Sequence, residues 1–190
     1  MERFEEFKDI ILNKAKEESA CKGQYQRALK SGTFEDLISI IKDNFQWSIN
    51  HKIIDPILIK EYKQEFNVNG IWCNENICNG FLLATGNATV RAYDNAIVEA
   101  TGNATVEAYG NATVRAYGNA YIYSYYIIEC KLKDNAVYRL ISENKIFYPE
   151  ETAINIEKQT THKTRSQWKE RISTKTSKCT SPAQKTTSGP

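Results

Sequence analysis

Residues able to bind or react recur at a fixed interval in the middle of the chain. Arginine or glutamate recurs at every eighth residue, with tyrosine two residues later in three of four copies, through GNATVRAYDNAIVEATGNATVEAYGNATVRAYGNA, residues 86–120. Paired carboxylates such as Glu99 and Glu107 could serve as a general acid and base, as in glycoside hydrolysis. The same spacing offers each glutamate an arginine partner, Arg91 or Arg115. We therefore interpret these carboxylates as members of ion pairs and predict no catalytic residue.

The eight-residue interval predicts a strand followed by a corner. Between corners, apolar Ala88 and Val90 alternate with polar Thr89 and Arg91, which is the period of a strand with one buried face. Glycine or aspartate begins each octad and suits a left-handed corner. The corner and ladder residues are Gly86, Asn87, Asp94, Asn95, Gly102, Asn103, Gly110, Asn111, Gly118 and Asn119. Because such a strand cannot bury its face alone, the octads must stack as a β-solenoid.

The order of charges predicts how many octads make one coil. Residues one coil apart lie about 4.8 Å from each other along the stack. A coil of two octads places Arg91 beside Glu107 and Glu99 beside Arg115, whereas a coil of three places the two arginines together. Like charges placed directly opposite destabilise a sheet, so we predict sixteen residues per coil.

This register also defines the candidate binding residues. It predicts a row of stacked tyrosines, Tyr93, Tyr109 and Tyr125, and ladders of corner asparagines. Tyrosine is a favoured anchor in protein interfaces. The candidate binding residues are Tyr93, Tyr109, Tyr117, Tyr125, Arg91 and Arg115. The Asn-Ala-Thr triplets match glycosylation acceptors, but we interpret their asparagines as ladder residues.

A helical head precedes the repeat. Phe4, Phe7 and Ile11 follow helical spacing, and a longer apolar stripe of the same period runs over 34–49. Thr33 and the pair Asp55-Pro56 are typical helix starts. We predict an α+β chain with a helical head over 1–68, a solenoid over 69–150, and a disordered, basic, Ser/Thr-rich tail over 151–190. The head should cap one end of the solenoid.

Other chemistry has weaker support in the sequence. Cys73 and Cys78 are the only close cysteine pair, and the chain has two histidines, so we predict no metal site and no cofactor. The octad lacks the acidic corner pair of calcium-binding β-rolls, and charged residues interrupt the threonine rows that an ice-binding face requires. Polysaccharide-cleaving β-helices have long loops that these short octads leave no room for.

The sequence also resembles a known group of proteins. The stretch ACKGQYQRALKSGTFEDLISIIKDNFQWSINHKIIDPILIKEY, followed later by GNATVRAYDNA, is similar to uncharacterised proteins of Bacteroides-type gut bacteria and their phages or prophages. The resemblance covers about residues 10–150 and implies a helical head with a run of DNATV-type octads. It implies no activity, and the residues after about Ile156 depart from the pattern.

Together these features predict a non-enzymatic structural or protein-interaction module of a phage or other mobile element. An unidentified protein is the expected partner. The alternative is a nucleic-acid-associated or host-defence-blocking protein that acts through its charged solenoid face or its basic tail. Residues 157–190 of this tail contain eight Lys or Arg and two Glu. No apolar run is long enough to span a membrane, and the first residues do not resemble a secretory signal. We therefore expect no membrane partner and a cytoplasmic location.

Overall fold

The computed structural model of the protein describes residues 2–149, and within them six helices precede nine strands. The helices are α1 (Glu2–Glu17), α2 (Lys22–Lys30), α3 (Phe34–Asp43), α4 (Phe45–Asn50), α5 (Pro56–Glu61) and α6 (Lys63–Val68). The strands are β1 (Ile71–Cys73), β2 (Ile77–Ala84), β3 (Thr89–Ala100), β4 (Thr105–Ala108), β5 (Thr113–Ala116), β6 (Tyr121–Ser124), β7 (Glu129–Leu132), β8 (Val137–Leu140) and β9 (Lys145–Phe147). The α+β fold class is confirmed. The predicted tail, 151–190, lies outside the described residues.

The helix starts in the head follow the capping signals of the sequence. The Thr33 side chain accepts a hydrogen bond from the backbone N–H of Asp36, and Asp55 accepts two, from Ile57 and Leu58. The long stripe over 34–49 forms two helices rather than one, because the chain leaves helical geometry at Asn44. The head buries its apolar faces in one aromatic-rich core around Phe7.

The octads form a parallel β-solenoid of about four turns over residues 77–140. Within the octads, strand segments sixteen residues apart pair in parallel, so that Arg91 lies opposite Glu107 and Glu99 lies opposite Arg115. The prediction of sixteen residues per coil is confirmed. Valine and alanine of successive coils fill the interior, and Val90, Val98 and Val106 are fully buried there.

The corners require the residue types found at them. Gly86, Asp94, Gly102, Gly110 and Gly118 all have positive φ, between 49° and 69°. A Cβ on Gly102 would also lie 3.1 Å from the backbone nitrogen of Gly86 in the coil below. Left-handed geometry and close coil stacking therefore both favour glycine at this corner.

The two ends of the solenoid are built differently. At the first end, β1 pairs with β2, and α5 and α6 pack against β1. The head does more than cap this end, because Leu83 on the outer side of β2 is buried in the head core, where Phe81 also packs. At the other end β9 turns back and pairs antiparallel with β8, which closes the edge of that strand.

Candidate interaction surface

The flattened solenoid has two outer faces, which differ in whether the head lies over them. We call the outer side of residues 89–92, β4, β6 and β8 the free face. We call the outer side of residues 81–84, 97–100 and β5 the head-covered face; the outward residues of β7, the next strand on this side, are exposed. On the second of these, Phe45 of α4 contacts Phe81, with ring centroids 4.9 Å apart. The head thus packs on one face and leaves the other open.

The free face carries an exposed ion pair held by a tyrosine. Arg91 Nε donates to Glu107 Oε2 at 2.8 Å, and the hydroxyl of Tyr109 donates to Glu107 Oε1. Partial burial raises the pKa of Glu107, but the hydrogen bonds from Tyr109 and Arg91 outweigh it and hold the pKa below its ordinary value. Glu107 is therefore ionised at neutral pH, and the Arg91 side chain above it is more than half exposed.

Stacked tyrosine rings also lie on the free face. Tyr93 and Tyr109 stack with centroids 4.8 Å apart and planes 6° from parallel, as the sixteen-residue register predicts. Tyr121 and Tyr123 stack beside them at 5.8 Å. Tyr125, expected to extend the first stack, instead packs edge-on against Tyr126. Its ring is more than half exposed.

The head-covered face contains the matching ion pair in a buried setting. Arg115 Nη1 donates to Glu99 Oε1 at 3.0 Å, and the Glu99 side chain is 1% exposed. Glu99 Oε2 has no hydrogen-bond partner within the described part of the chain. The hydroxyl of Tyr117 lies nearby and lowers the pKa of Glu99. The same hydroxyl accepts a hydrogen bond from Gln46 of α4. This polar cluster joins the head to the solenoid.

The buried glutamate has an electrostatic environment opposite to that of Glu107. Burial raises the pKa of Glu99 above its ordinary value, and the hydrogen bond and charge of Arg115 offset this only in part. A raised carboxyl pKa also occurs at catalytic sites. Here the Glu99 side chain is 1% exposed, beside the contact between Tyr117 and Gln46 of the head, so its position indicates a structural junction.

The corner residues form a hydrogen-bonded ladder along one edge. Asn103 Nδ2 donates to Asn87 Oδ1 at 3.1 Å, Asn119 donates to Asn103 at 3.1 Å, and Asn135 donates to Asn119 at 3.2 Å. At the opposite corner Asn95 lies within β3, which runs through the corner, and the backbone N–H of Asn111 bonds to Asp94 O. The asparagines of the Asn87 edge thus have a structural role.

Residues 2–149 contain a cavity in the head but no cluster of metal-binding side chains. No group of three or more His, Cys, Asp or Glu there could hold a metal ion. A cavity of about 160 Å³ lies between helices of the head, with Ile11, Tyr25 and Trp47 in its wall. Its described lining contains no Asp, Glu, Lys, Arg or His, and its polar side chains include Cys21, Gln24 and Tyr25. Of the helices described, none has both the length and the apolar character needed to cross a bilayer.

Three residues important to these surfaces were not among the sequence candidates. Tyr121 and Tyr123 belong to the free face. They occupy outward-facing positions of the octad, and this position in the repeat could have identified them from the sequence. Gln46 lies in a helix with no motif that indicates contact with Tyr117. Of the six candidate binding residues, Arg91, Tyr93 and Tyr109 lie together on the free face, and Tyr125 lies at its corner. Arg115 and Tyr117 lie at the head junction.

Searches of protein-family models, of curated proteins and of solved structures found no match to the chain.

Proposed function

We propose that this protein is a non-enzymatic interaction module that presents the free face to a protein partner. The observation that carries the proposal is the difference in coverage between the two faces. The head occupies the outer side of β2 and the buried pair around Glu99, whereas the ion pair and tyrosine stacks of the free face lie uncovered. A surface whose side chains are already ordered loses little entropy on binding.

The resemblance of the head and octads to proteins of Bacteroides-type bacteria and their phages supports a further proposal, that the module belongs to a phage or other mobile element. A phage protein made in the bacterial cytoplasm would meet its partner there. The regular short corners support a scaffold over an enzyme, because they provide no long loop on which catalytic groups could converge.

The two faces offer matched positions for testing this function. Thr105 and Thr113 occupy the same place in consecutive octads, and they lie on the free face and the head-covered face respectively. A photo-crosslinking amino acid would be placed at one or the other, and each protein would be irradiated in lysate of a Bacteroides-type bacterium. We expect protein adducts from position 105 and few from position 113. Equal labelling at both positions, or none at 105, would contradict the proposal.

The basic tail supports the second candidate, a nucleic-acid-associated protein. Residues 157–190, which lie outside the described structure, contain eight Lys or Arg and two Glu. Binding through phosphate contacts would weaken steeply with salt and disappear when these residues are removed. Retention of salt-sensitive RNA or DNA binding after this truncation would instead assign that binding to the folded part.

A further inference from the structure

The free face becomes apolar towards the end farthest from the head. Its polar start, around Thr89 and Arg91, gives way to aromatic and aliphatic side chains. We call these residues the end patch: Tyr121, Tyr123, Tyr125, Ile141 and Ile146. Tyr125, Ile141 and Ile146 are exposed and the other two are partly exposed. Contiguous exposed apolar surface of this kind is typical of an interaction site.

A single arginine lies within the end patch. Arg139 of β8 pairs with Tyr123 of β6 on one side and with Ile146 of β9 on the other. Residues directly opposite in a sheet point to the same side, so the guanidinium lies between an aromatic and an aliphatic side chain on the free face. It is exposed, and its described hydrogen bond, to Asn144 Oδ1, is long at 3.5 Å.

Arg139 differs in this respect from the other two arginines of the solenoid. Arg91 and Arg115 each contact a carboxylate of a neighbouring coil, at 2.8 and 3.0 Å. Its partner in the neighbouring coil is Tyr123. The corresponding partners of Arg91 and Arg115 are both glutamates. Among residues 2–149 no carboxylate forms an ion pair with it.

We infer that the end patch binds a protein segment in which a carboxylate is flanked by apolar side chains. Covering the apolar residues removes Arg139 from water, which is costly unless the partner supplies an opposite charge with good geometry. A carboxylate can accept two parallel hydrogen bonds from one guanidinium. This inference rests on the proposed function and specifies the partner chemistry of the same face.

Other occupants fit the patch less well. A second copy placed on a twofold axis through its centre would oppose Arg139 with its own equivalent, a like-charge contact. A nucleic acid would gain stacking from the tyrosines, but it draws most of its affinity from several phosphate contacts, and Ile141 and Ile146 offer neither charge nor an aromatic ring.

The test uses the full chain as the target for a displayed library of short random peptides. We expect the selected peptides to share an Asp or Glu flanked by aromatic or aliphatic residues. Selection on Arg139→Glu should replace that acidic residue with Lys or Arg. Arg27→Glu is the matched control, because it makes the same change at an exposed arginine of the head, away from the free face, and should leave the selected motif unchanged.

A synthetic peptide of the selected sequence then gives a quantitative measurement. Replacing its acidic residue by the corresponding amide, or Arg139 by Glu, should weaken binding by roughly tenfold or more, equivalent to about 1.4 kcal/mol. Circular dichroism would establish that the exposed substitution leaves the fold intact. Selection of apolar peptides without an acidic residue, no selection above an empty support, or binding unaffected by Arg139→Glu would overturn the inference.

The inference and the proposed function can fail separately. If crosslinked adducts at position 105 persist unchanged in Arg139→Glu, the free face binds protein and the inference about the end patch is wrong. If the swap redirects peptide selection while position 105 yields no adducts, the patch chemistry is right and the broader free-face proposal fails. Self-association of the full chain that is abolished by Ile141→Asp, within the end patch, would show that a second copy is the occupant, and the inference would then be wrong.

Discussion

The two Arg–Glu pairs of the solenoid have the same sequence separation but opposite surroundings. In both, an arginine and a glutamate sixteen residues apart meet across adjacent coils. On the free face the glutamate side chain is 21% exposed and accepts a hydrogen bond from Tyr109. Under the head, Glu99 is 1% exposed and keeps one oxygen without a hydrogen-bond partner in the described chain.

This difference shows how the head alters a repeat that is otherwise uniform. The octads make equivalent ladders on both faces, so the backbone alone gives the faces no separate roles. Covering one face raises the pKa of its glutamate, while the hydrogen bonds on the open face lower the pKa of the other. The head thereby turns one ion pair into part of an internal junction and leaves the other at the surface.

The largest expected effect is the loss of the buried arginine. Arg115→Ala would leave the Glu99 carboxylate without its ion-pair partner, and removing one member of a buried pair costs about 3–5 kcal/mol. Arg115 retains some exposure, so we expect a value near the lower end of that range. Denaturant unfolding at pH 7 would measure the change in the free energy of unfolding.

Arg91→Ala is the matched control for this change. Its side chain is more than half exposed, and exposed ion pairs contribute little to stability. We expect its unfolding midpoint to remain close to that of the unmodified protein. Equal destabilisation by the two substitutions would mean that the head does not bury the Glu99 pair in solution.

A smaller effect is expected where the head meets the solenoid. Tyr117→Phe removes the hydroxyl that accepts from Gln46, and a partly buried amide that loses its partner costs about 1 kcal/mol. Because this bond joins α4 to the solenoid, the loosening should be local. Amide hydrogen exchange over Phe45–Asn50 would then be faster than in the unmodified protein.

Tyr93→Phe provides the comparison on the free face, where the ring stacks on Tyr109. It keeps that stack and should leave exchange in α4 unchanged. Faster exchange in both variants would indicate a general loss of stability and would contradict a specific junction at Tyr117.

The repeat architecture could be predicted from the sequence because its physical signals are local. Alternation fixes which side chains face inward, glycine and aspartate mark the corners, and the signs of Arg91 and Glu107 select the coil length. The aromatic row is harder to extend. Tyr126 occupies the corner position at which the other octads have glycine or aspartate. Residues 125–128 do not continue the regular strand-and-corner geometry, and Tyr125 packs against Tyr126 instead of joining the stack.

The difference between the faces could not be predicted in the same way. Glu99 and Glu107 occupy the same octad position, and each has an arginine one coil away, so their local sequences are nearly equivalent. One signal was present: Phe81 and Leu83 are apolar at outward positions of β2, which is expected where another element covers the strand. Contacts such as Gln46 with Tyr117 depend on how the head docks and carry no sequence motif.

The opposite pKa directions predict opposite pH effects at the two glutamates. The pKa of Glu107 is lowered in the fold, so its stabilising contribution is complete above the unfolded pKa of about 4.3 and is lost as pH falls through the folded value. The pKa of Glu99 is raised, so stability declines as pH rises from the unfolded value through the higher folded value. Unfolding free energies would be measured from pH 3 to pH 7.

Glutamine variants isolate the two contributions. As pH rises through the acidic range, the free energy of unfolding of Glu107→Gln should fall further below that of the unmodified protein. Over the same range, the free energy of unfolding of Glu99→Gln should rise relative to that of the unmodified protein. Each pKa unit of difference corresponds to about 1.4 kcal/mol. Two variants with the same pH trend would contradict the opposite environments of the faces.

The smallest expected effect separates the corners rather than the faces. Asn103→Ala removes one amide that donates to Asn87 and accepts from Asn119, both at 3.1 Å. These bonds are exposed to water, so we expect a loss of about 0.5–1 kcal/mol, at the low end for hydrogen bonds. Asn95→Ala, at the exposed opposite corner within β3, is the control and should cost less. Denaturant midpoints would measure both, and equal midpoints would mean that the asparagine ladder contributes no stability and that the recurring asparagine serves only the geometry of the corner.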